Sequence, residues 1–378
     1  MKPNKRQLLA LALALVTFLS GCRSRRPDFP GYLYVLAGGA IYEITSQGAR
    51  SVRSGIQTAA LSPDGEIILI AEADRTLFMN SATGAERTIA DRPARKIGWN
   101  RDGSRFFLIS SAEVNQLLVG DRLGAVKGIF RGARQATSPD LVAATDTPGN
   151  IAFGEISGCL FLDKNTLLFS AYDGIIPPST DVQEIAASRA YRIDLSLPDA
   201  ELKSMKFPAD ESWRFIDVDS GDGSVLTVVE KKTSRDFQAF YARAFQEWED
   251  LSFEREIPGA IIRCANGDYD LIFQPTTGFI FGIDAVPVKA GRHAVVFQFD
   301  PGTQEIQSGP DLGWGDNVVG PTLSPDGRFA AVLIYERSKE WRLKVVDLDK
   351  RAETTVWSLR DHNRNLGNPA DAILAWMR

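Results

Sequence analysis

The chain has 378 residues, of which 44% are hydrophobic and 24% charged, so it can bury a sizeable core and wholesale disorder is excluded. Its net charge of −5 argues against a general nucleic-acid-binding protein, which would need a basic face. Only two histidines, His293 and His362, are present, which disfavours a multi-histidine metal site and histidine-based acid–base catalysis.

The amino terminus has the pattern of a bacterial export signal. The basic residues Lys2, Lys5 and Arg6 precede an almost unbroken apolar run from Leu8 to Leu19. This run is ~12 residues long, whereas ~20 are needed to cross a bilayer, so a permanent transmembrane helix is disfavoured.

The signal ends in Leu19-Ser20-Gly21-Cys22, which resembles the lipobox of bacterial lipoproteins. The resemblance implies removal of residues 1–21, acylation of Cys22 with fatty acids such as palmitate, and anchoring to the membrane. Residue 23 is Arg rather than Asp. By similarity to enteric lipoprotein sorting, this favours the outer membrane facing the periplasm, provided that the host has two membranes.

Residues 22–31 contain two prolines and a glycine, which predicts a short extended tether after the lipidated cysteine. Its three arginines either contact lipid phosphates or belong to a solvated linker. An exported protein can form a disulfide between Cys159 and Cys264. We expect two separate buried thiols instead, because Cys159 lies in an apolar, strand-like run.

From Tyr32 onward the pattern is that of a β-protein. Short runs rich in β-branched and aromatic residues are bounded by Gly, Pro, Asp or Asn, as in Ile67–Ile70, Phe106–Ile109, Val225–Val229 and Ala330–Ile334. Many short strands of this kind are typical of a sandwich, a barrel or a propeller.

A repeated turn distinguishes among these architectures. Leu61-Ser-Pro-Asp-Gly65 and Leu323-Ser-Pro-Asp-Gly327 are identical, and Trp99-Asn-Arg-Asp-Gly103 is a close variant. Weaker copies lie at Phe161–Asn165, Val218–Gly223 and Phe273–Gly278. Pro presets φ, Asp caps the turn and Gly or Asn occupies the positive-φ position, so each copy is expected to join two strands as a hairpin. The copies are spaced like blades of about four strands.

The Ser-Pro-Asp-Gly turn before an apolar strand resembles the WD40-like repeat of TolB-type β-propellers, over roughly residues 32–376. The resemblance implies an all-β fold in which residues 32–378 form a single propeller of four-stranded blades. The strand at Ala372–Trp376 has no turn after it, so we expect the N- and C-terminal strands to pair and close the ring. We expect seven blades; eight, using Thr137–Leu141, or six remain open.

Two segments depart from the repeat. Residues 235–253 place aromatic residues at helical spacing, which predicts an amphipathic helix, with two strands and an aromatic bulge as an alternative. Its stripe either packs on the propeller or forms a partner surface, whose candidate residues are Phe240, Tyr241, Phe245 and Trp248. Residues 172–188 form a Pro-containing loop that either binds a partner or is a tolerated insertion.

Motifs for catalysis or metal binding are few. Asp217–Asp222 is acidic, but the twelfth position of an EF-hand-type loop would fall on Val228 rather than Glu. The segment Asp361–Asn365 is polar and fits a solvated loop better than a ligand cluster. No Gly-x-Ser-x-Gly elbow, P-loop or dinucleotide fingerprint is present. We therefore expect no catalytic residue, cofactor or metal, and we take His293 as structural.

These observations favour a non-enzymatic envelope lipoprotein whose propeller binds or scaffolds an envelope protein or polysaccharide. The lipid would hold the protein at the membrane, and we expect no nucleic-acid partner. One alternative is a propeller enzyme (a lyase, lactonase or glycan-active protein) that would need converging carboxylates in the central channel. Another is a small-ligand sensor, which ligand-dependent thermal shifts would distinguish.

Overall fold

The structure is a computed structural model. It describes residues 29–110, 114–133, 153–173, 188–196, 203–206, 211–218, 225–231, 237–242, 255–257, 271–273, 280–288, 291–300, 302–303, 305–315, 317–336, 338–360 and 372–377. The described residues form β-strands and contain no helix. They contain no helix that is long and apolar enough to cross a membrane.

The described residues form 28 strands in seven four-stranded sheets. The sheet that joins the chain ends contains β1 (Tyr32–Ala37), β2 (Ala40–Thr45), β3 (Gly48–Ser54) and β28 (Ala372–Met377). The next three are β4–β7 (Thr58–Leu61, Ile67–Ala71, Thr76–Asn80, Glu86–Ala90), β8–β11 (Ala94–Trp99, Arg105–Ser110, Val114–Asp121, Val126–Ala133) and β12–β15 (Phe153–Phe161, Thr166–Asp173, Ser188–Asp194, Lys203–Lys206).

The remaining sheets follow the same order. They are β16–β19 (Glu211–Val218, Val225–Lys231, Phe237–Ala242, Arg255–Ile257), β20–β23 (Leu271–Phe273, Ile280–Val288, Gly291–Asp300, Glu305–Gly315) and β24–β27 (Asn317–Leu323, Phe329–Glu336, Glu340–Asp347, Ala352–Arg360). All strand pairs in these three sheets are antiparallel.

The sheets are arranged in a closed cycle. Their first strands, the inner strands β4, β8, β12, β16, β20, β24 and β28, each contact the inner strands of the two neighbouring sheets. β28 pairs antiparallel with β1, with Trp376 opposite Leu33. The expected closure of the ring by the two chain ends is thus confirmed. The blade number of the whole chain stays a prediction, because Thr137–Leu141 lies outside the described residues.

The core lies between neighbouring sheets. All five residues of β5 are buried, which explains why this strand is continuously apolar rather than alternating. Ile68 and Ile70 pack with residues of the β1 sheet, whereas Leu69 and Ala71 pack with residues of β8–β11. Successive side chains of a strand point to opposite faces, so each middle strand contributes to two cores.

The strand order gives the ring two distinct faces. Every hairpin between the first and second strands, or between the third and fourth, lies on one side, which we call the turn face. The hairpins between the second and third strands, and the links from one sheet to the next, lie on the other side, which we call the connection face.

The predicted helix over residues 235–253 is wrong where the structure describes the chain. Phe237–Ala242 is strand β18 and pairs with β17, with Phe240 opposite Thr227. Aromatic residues are favourable in a pleated sheet, and the backbone pairing with β17 outweighs the local helical spacing. Residues 243–254 lie outside the described residues.

Candidate functional site

The repeated turns lie on the turn face and share one hydrogen-bond pattern. In the first, the Ser62 hydroxyl donates to Asp64 Oδ1 over 2.7 Å and accepts from the Ile67 N–H over 3.0 Å. The Gly65 N–H donates to the Ser62 carbonyl over 2.8 Å, and Gly65 has φ of 77°, which favours glycine. The expected capping of the hairpin by Asp is confirmed, since the Glu66 N–H also donates to Asp64 Oδ1.

The second identical copy and the close variant repeat this pattern. The Ser324 hydroxyl donates to Asp326 Oδ1 over 2.5 Å and accepts from the Phe329 N–H over 2.9 Å. In the variant, Asn100 replaces the serine and its Oδ1 accepts from the Arg105 N–H over 2.9 Å. An amide oxygen thus performs the accepting role of the hydroxyl, which explains why the sequence tolerates Asn there.

The turn carboxylates are anionic and fixed. The pKa of Asp64 would be raised by burial, but hydrogen bonds from the Ser62 hydroxyl and the Glu66 N–H hold it below its usual value. A hydrogen bond from Ser104 lowers the pKa of Asp102, and one from Ser324 lowers the pKa of Asp326. The turn face therefore presents fixed negative charges at neutral pH.

Polar contacts tie neighbouring turns together across the turn face. The Arg122 guanidinium, from the β10–β11 hairpin, forms ion pairs with Asp64 and with Glu66 of the preceding sheet. Lys164 Nζ lies 3.6 Å from Asp102 Oδ2, and the Lys164 carbonyl accepts a hydrogen bond from Asn100 Nδ2. These contacts join sheets that are adjacent in the cycle, so they have a structural explanation without a ligand.

The connection face also has an ion-pair network. Arg53 of β3 forms an ion pair with Glu72 of the β5–β6 hairpin, and Arg75 Nε lies 2.8 Å from Glu72 Oε2. Arg53 also forms an ion pair with Glu86, the first residue of β7. Hydrogen bonds from Arg53 and then Arg75 lower the pKa of Glu72. This carboxylate joins the first two sheets and stays ionised, which does not suit a general acid.

The residue types of the inner strands indicate which chemical groups can line the central channel. Five of them, β4, β8, β20, β24 and β28, contain no Asp or Glu. β8 is basic, with Arg95 and Lys96, and Arg95 Nη2 donates to the Ile156 carbonyl of β12 over 2.5 Å. The buried Cys159 of β12 is a free thiol, and desolvation raises its pKa. Cys264 lies outside the described residues.

The described residues contain no group of three His, Cys, Asp or Glu side chains placed to hold a metal ion. In that same part of the chain, every carboxylate with a resolved shift has its pKa lowered rather than raised. A pair of carboxylates with pKa values pushed apart, which acid–base catalysis would need, is not present among them.

The sequence-predicted surfaces fall on both faces of the ring. Phe240 and Tyr241 lie in β18, and the connection 243–254, which contains Phe245 and Trp248, begins and ends at the turn face. Residues 172–188 start in β13 and finish in β14, with Tyr172 opposite Ser188, so both ends of this loop are at the connection face. Cys22 lies outside the described residues, and His293 is in β22.

Sequence reasoning missed two features of the turn face. Phe29, assigned to the tether, is buried and packs edge-on against Trp376 with ring centroids 5.9 Å apart. Leu123, at the tip of the β10–β11 hairpin, is 79% exposed. Only the isolated Phe in a Pro- and Arg-rich tether could have indicated the first, and no sequence signal indicated the second.

No protein-family profile matches the chain, and no curated protein does. Among solved structures, a 6-phosphogluconolactonase candidate from Bacteroides fragilis has a TM-score of 0.56 and 11% identity, covering 88% of this chain and 97% of that one. The β-propeller domain of Cps50 (Swd1) from Myceliophteria thermophila has a TM-score of 0.51 and 13% identity, covering 82% and 88%. TolB from Acinetobacter baumannii has a TM-score of 0.46 and 13% identity, covering 94% and 69%.

The first two similarities establish the β-propeller fold and say nothing about activity, because the identities are far below those at which function is retained. The TM-score of the TolB match is too low to support an argument. A specific relation to TolB-type propellers therefore stays a prediction from the repeated turn.

Proposed function

We propose that this chain is a lipid-anchored protein of the bacterial cell envelope whose β-propeller binds an envelope protein or polysaccharide through its connection face. The basic, apolar and lipobox segments that end at Cys22 support the anchor. A closed ring supports the binding role, because it holds loops from several sheets at fixed positions.

The distribution of the long connections is the observation on which the binding face rests. Of the five longest, four join strand ends at the connection face, and one, 243–254, joins strand ends at the turn face. The four are 134–152, 174–187, 258–270 and 361–371. The described turns of the turn face are short, and ion pairs and hydrogen bonds join them between sheets, so most of the long connections start and end at the other face.

The test is crosslinking in cells, purification from native membranes and identification of partners by mass spectrometry. Four forms are compared: the wild type, Cys22→Ala, a variant in which residues 174–187 are replaced by a short Gly-Ser linker, and Phe245→Ala/Trp248→Ala. The linker is short enough to preserve the β13–β14 pairing, because Tyr172 and Ser188 already face each other.

We expect the wild type to capture a partner in near-equal amount, and we expect both Cys22→Ala and the linker variant to lose it. The Phe245/Trp248 variant is the matched control, because its connection starts and ends at the opposite face, and it should retain the partner. Capture that is lost only in this control would move the binding surface to the turn face. A folded, correctly localised wild type without any partner would contradict the proposal, and a glycan and metabolite screen by thermal shift would follow.

A further inference from the structure

The chain enters the ring at the turn face. The Trp376 indole N–H donates to the Pro30 carbonyl over 2.7 Å, which together with the Phe29–Trp376 packing fastens the entering segment to β28. Tyr32, the first residue of β1, is opposite Met377, and Met377 in turn lies against Gly65 of the first repeated turn. The tether therefore leaves the ring beside the turn face.

The tether is also short. Six residues, 23–28, separate Cys22 from Phe29. A fully extended chain spans at most ~3.6 Å per residue, so Cys22 lies within ~25 Å of Phe29. If Cys22 is lipidated, as the proposed function requires, the bilayer surface is within this distance of the turn face or of the adjoining outer edge of the ring.

The exposed apolar residues distinguish these two orientations. Among the described residues, the large hydrophobic side chains that are exposed are Leu123, at 79%, and Ile306, at 40%. Leu123 is in the β10–β11 hairpin, and Ile306 is opposite Phe299 beside the β22–β23 hairpin. Both hairpins belong to the turn face, and they lie in different parts of the cycle. These positions therefore favour an orientation in which the turn face lies on the lipid over one in which the outer edge of the ring does so.

The hairpin around Leu123 is held by hydrogen bonds and ion pairs. The Arg122 N–H donates to the Ser104 carbonyl over 3.0 Å, the Gly124 N–H donates to the Asp121 carbonyl over 2.8 Å, and Arg122 is held by ion pairs to the neighbouring sheet. Leu123 therefore stays exposed to water unless another surface covers it. The fixed carboxylates nearby favour shallow contact at the headgroup level rather than deep insertion.

We propose that the turn face rests on the bilayer surface, where Leu123 inserts into the lipid headgroup region and Ile306 contacts the same region. The connection face then points away from the membrane. This inference rests on the proposed lipid anchor. It also gives the connection face its role, because the long connections are then presented to partners in the compartment.

The test uses the full-length lipidated protein in phosphatidylcholine–phosphatidylglycerol vesicles that contain nitroxide-labelled lipids. An environment-sensitive fluorophore is attached at Ala125→Cys on the Leu123 hairpin, or at Ala73→Cys on the exposed β5–β6 hairpin of the connection face. Cys264→Ser prevents labelling at that cysteine, and Cys159 is buried. Each reporter is measured with Leu123 and with Leu123→Ser, which substitutes an exposed residue and should not affect folding.

We expect lipid quenching at Ala125→Cys to be about threefold stronger than at Ala73→Cys, with a blue-shifted emission, and to fall by about half in Leu123→Ser, as for loss of an interfacial apolar contact. Equal quenching at both positions in protein that floats with the vesicles would overturn the orientation but leave the anchor intact. Unchanged quenching in Leu123→Ser would overturn the role of that residue. Protein that does not float with the vesicles would overturn the proposed anchor and this inference with it.

Discussion

At the scale of single residues, the repeated turns show why Asp occupies their third position. Asp326 Oδ1 accepts from the Ser324 hydroxyl and from the Arg328 N–H over 3.2 Å, so one carboxylate holds both sides of the hairpin. A carboxylate does this better than an amide, since hydrogen bonds to a charged acceptor are stronger. The same arrangement at Asp64 explains why both copies retain the side chain.

The lowered pKa of Asp326 predicts a pH-dependent contribution to stability. Because its folded pKa lies below the unfolded value of ~3.9, the contribution is fully present above that pH and is lost as the pH falls through the folded pKa. Asp326→Asn should lower the free energy of unfolding at pH 7 by less than about 1 kcal/mol, because solvent screens this exposed carboxylate. Urea denaturation at pH 7 and pH 2.5 measures the difference.

The control for this prediction is Asp74→Asn, which substitutes an exposed Asp in the β5–β6 hairpin and should change stability at neither pH. An Asp326→Asn effect of the same size at pH 2.5 as at pH 7 would show that the charge is not involved.

At the scale of elements, the contact between β28 and the entering segment depends on one indole. Trp376 and Trp341 are both buried in the core between the last sheet and the sheet of β1. Trp376 donates to Pro30, whereas Trp341 Nε1 has no hydrogen-bond partner among the described residues. The two residues are therefore a matched pair that differs in hydrogen bonding.

Replacing each indole by phenylalanine should give different results. Trp376→Phe should lower the free energy of unfolding by about 1–3 kcal/mol, because the Pro30 carbonyl loses its donor and packing against Phe29 is reduced. Trp341→Phe should change it by less than about 1 kcal/mol, since removing a buried, unpartnered N–H offsets the lost volume. Urea titrations of both variants measure this. A larger loss of unfolding free energy for Trp341→Phe than for Trp376→Phe would contradict the stabilising role of the Trp376–Pro30 hydrogen bond.

The elements differ in how well their sequence predicts them. β5 and β25 are predictable because strands buried on both faces are continuously apolar and the turns before them are strongly marked. β18 is not, because its aromatic residues at 237, 240 and 241 satisfy a helical spacing and the deciding ladder with β17 lies outside the local sequence. Leu123 is not predictable at all, since its exposure depends on which residues surround the hairpin.

At the scale of the whole molecule, the repeated turn predicts the propeller and the unpaired strand at Ala372–Trp376 predicts its closure, but neither predicts the two faces. Assigning a connection to a face requires the order of all four strands in its sheet, and weakly marked strands such as β19 and β20, with three residues each, give little local signal. The strand pairing alone therefore shows that the connections 174–187 and 243–254 start and end at opposite faces.

Ring closure leads to a last prediction, the deletion of residues 372–378. Without β28, the backbone of β1 from Tyr32 to Ala37 loses its partner and becomes an open sheet edge, and Leu33 and Val35 lose the packing provided by Trp376. An open, apolar edge pairs with other chains, so we expect self-association and a less cooperative unfolding transition.

Light scattering after size-exclusion chromatography measures the self-association, with deletion of Arg378 alone as the control. A synthetic peptide of residues 366–378 should restore the monomer, because it can supply the missing strand. A truncated protein that stays monomeric with unchanged unfolding would show that the contacts between neighbouring sheets hold the ring without closure.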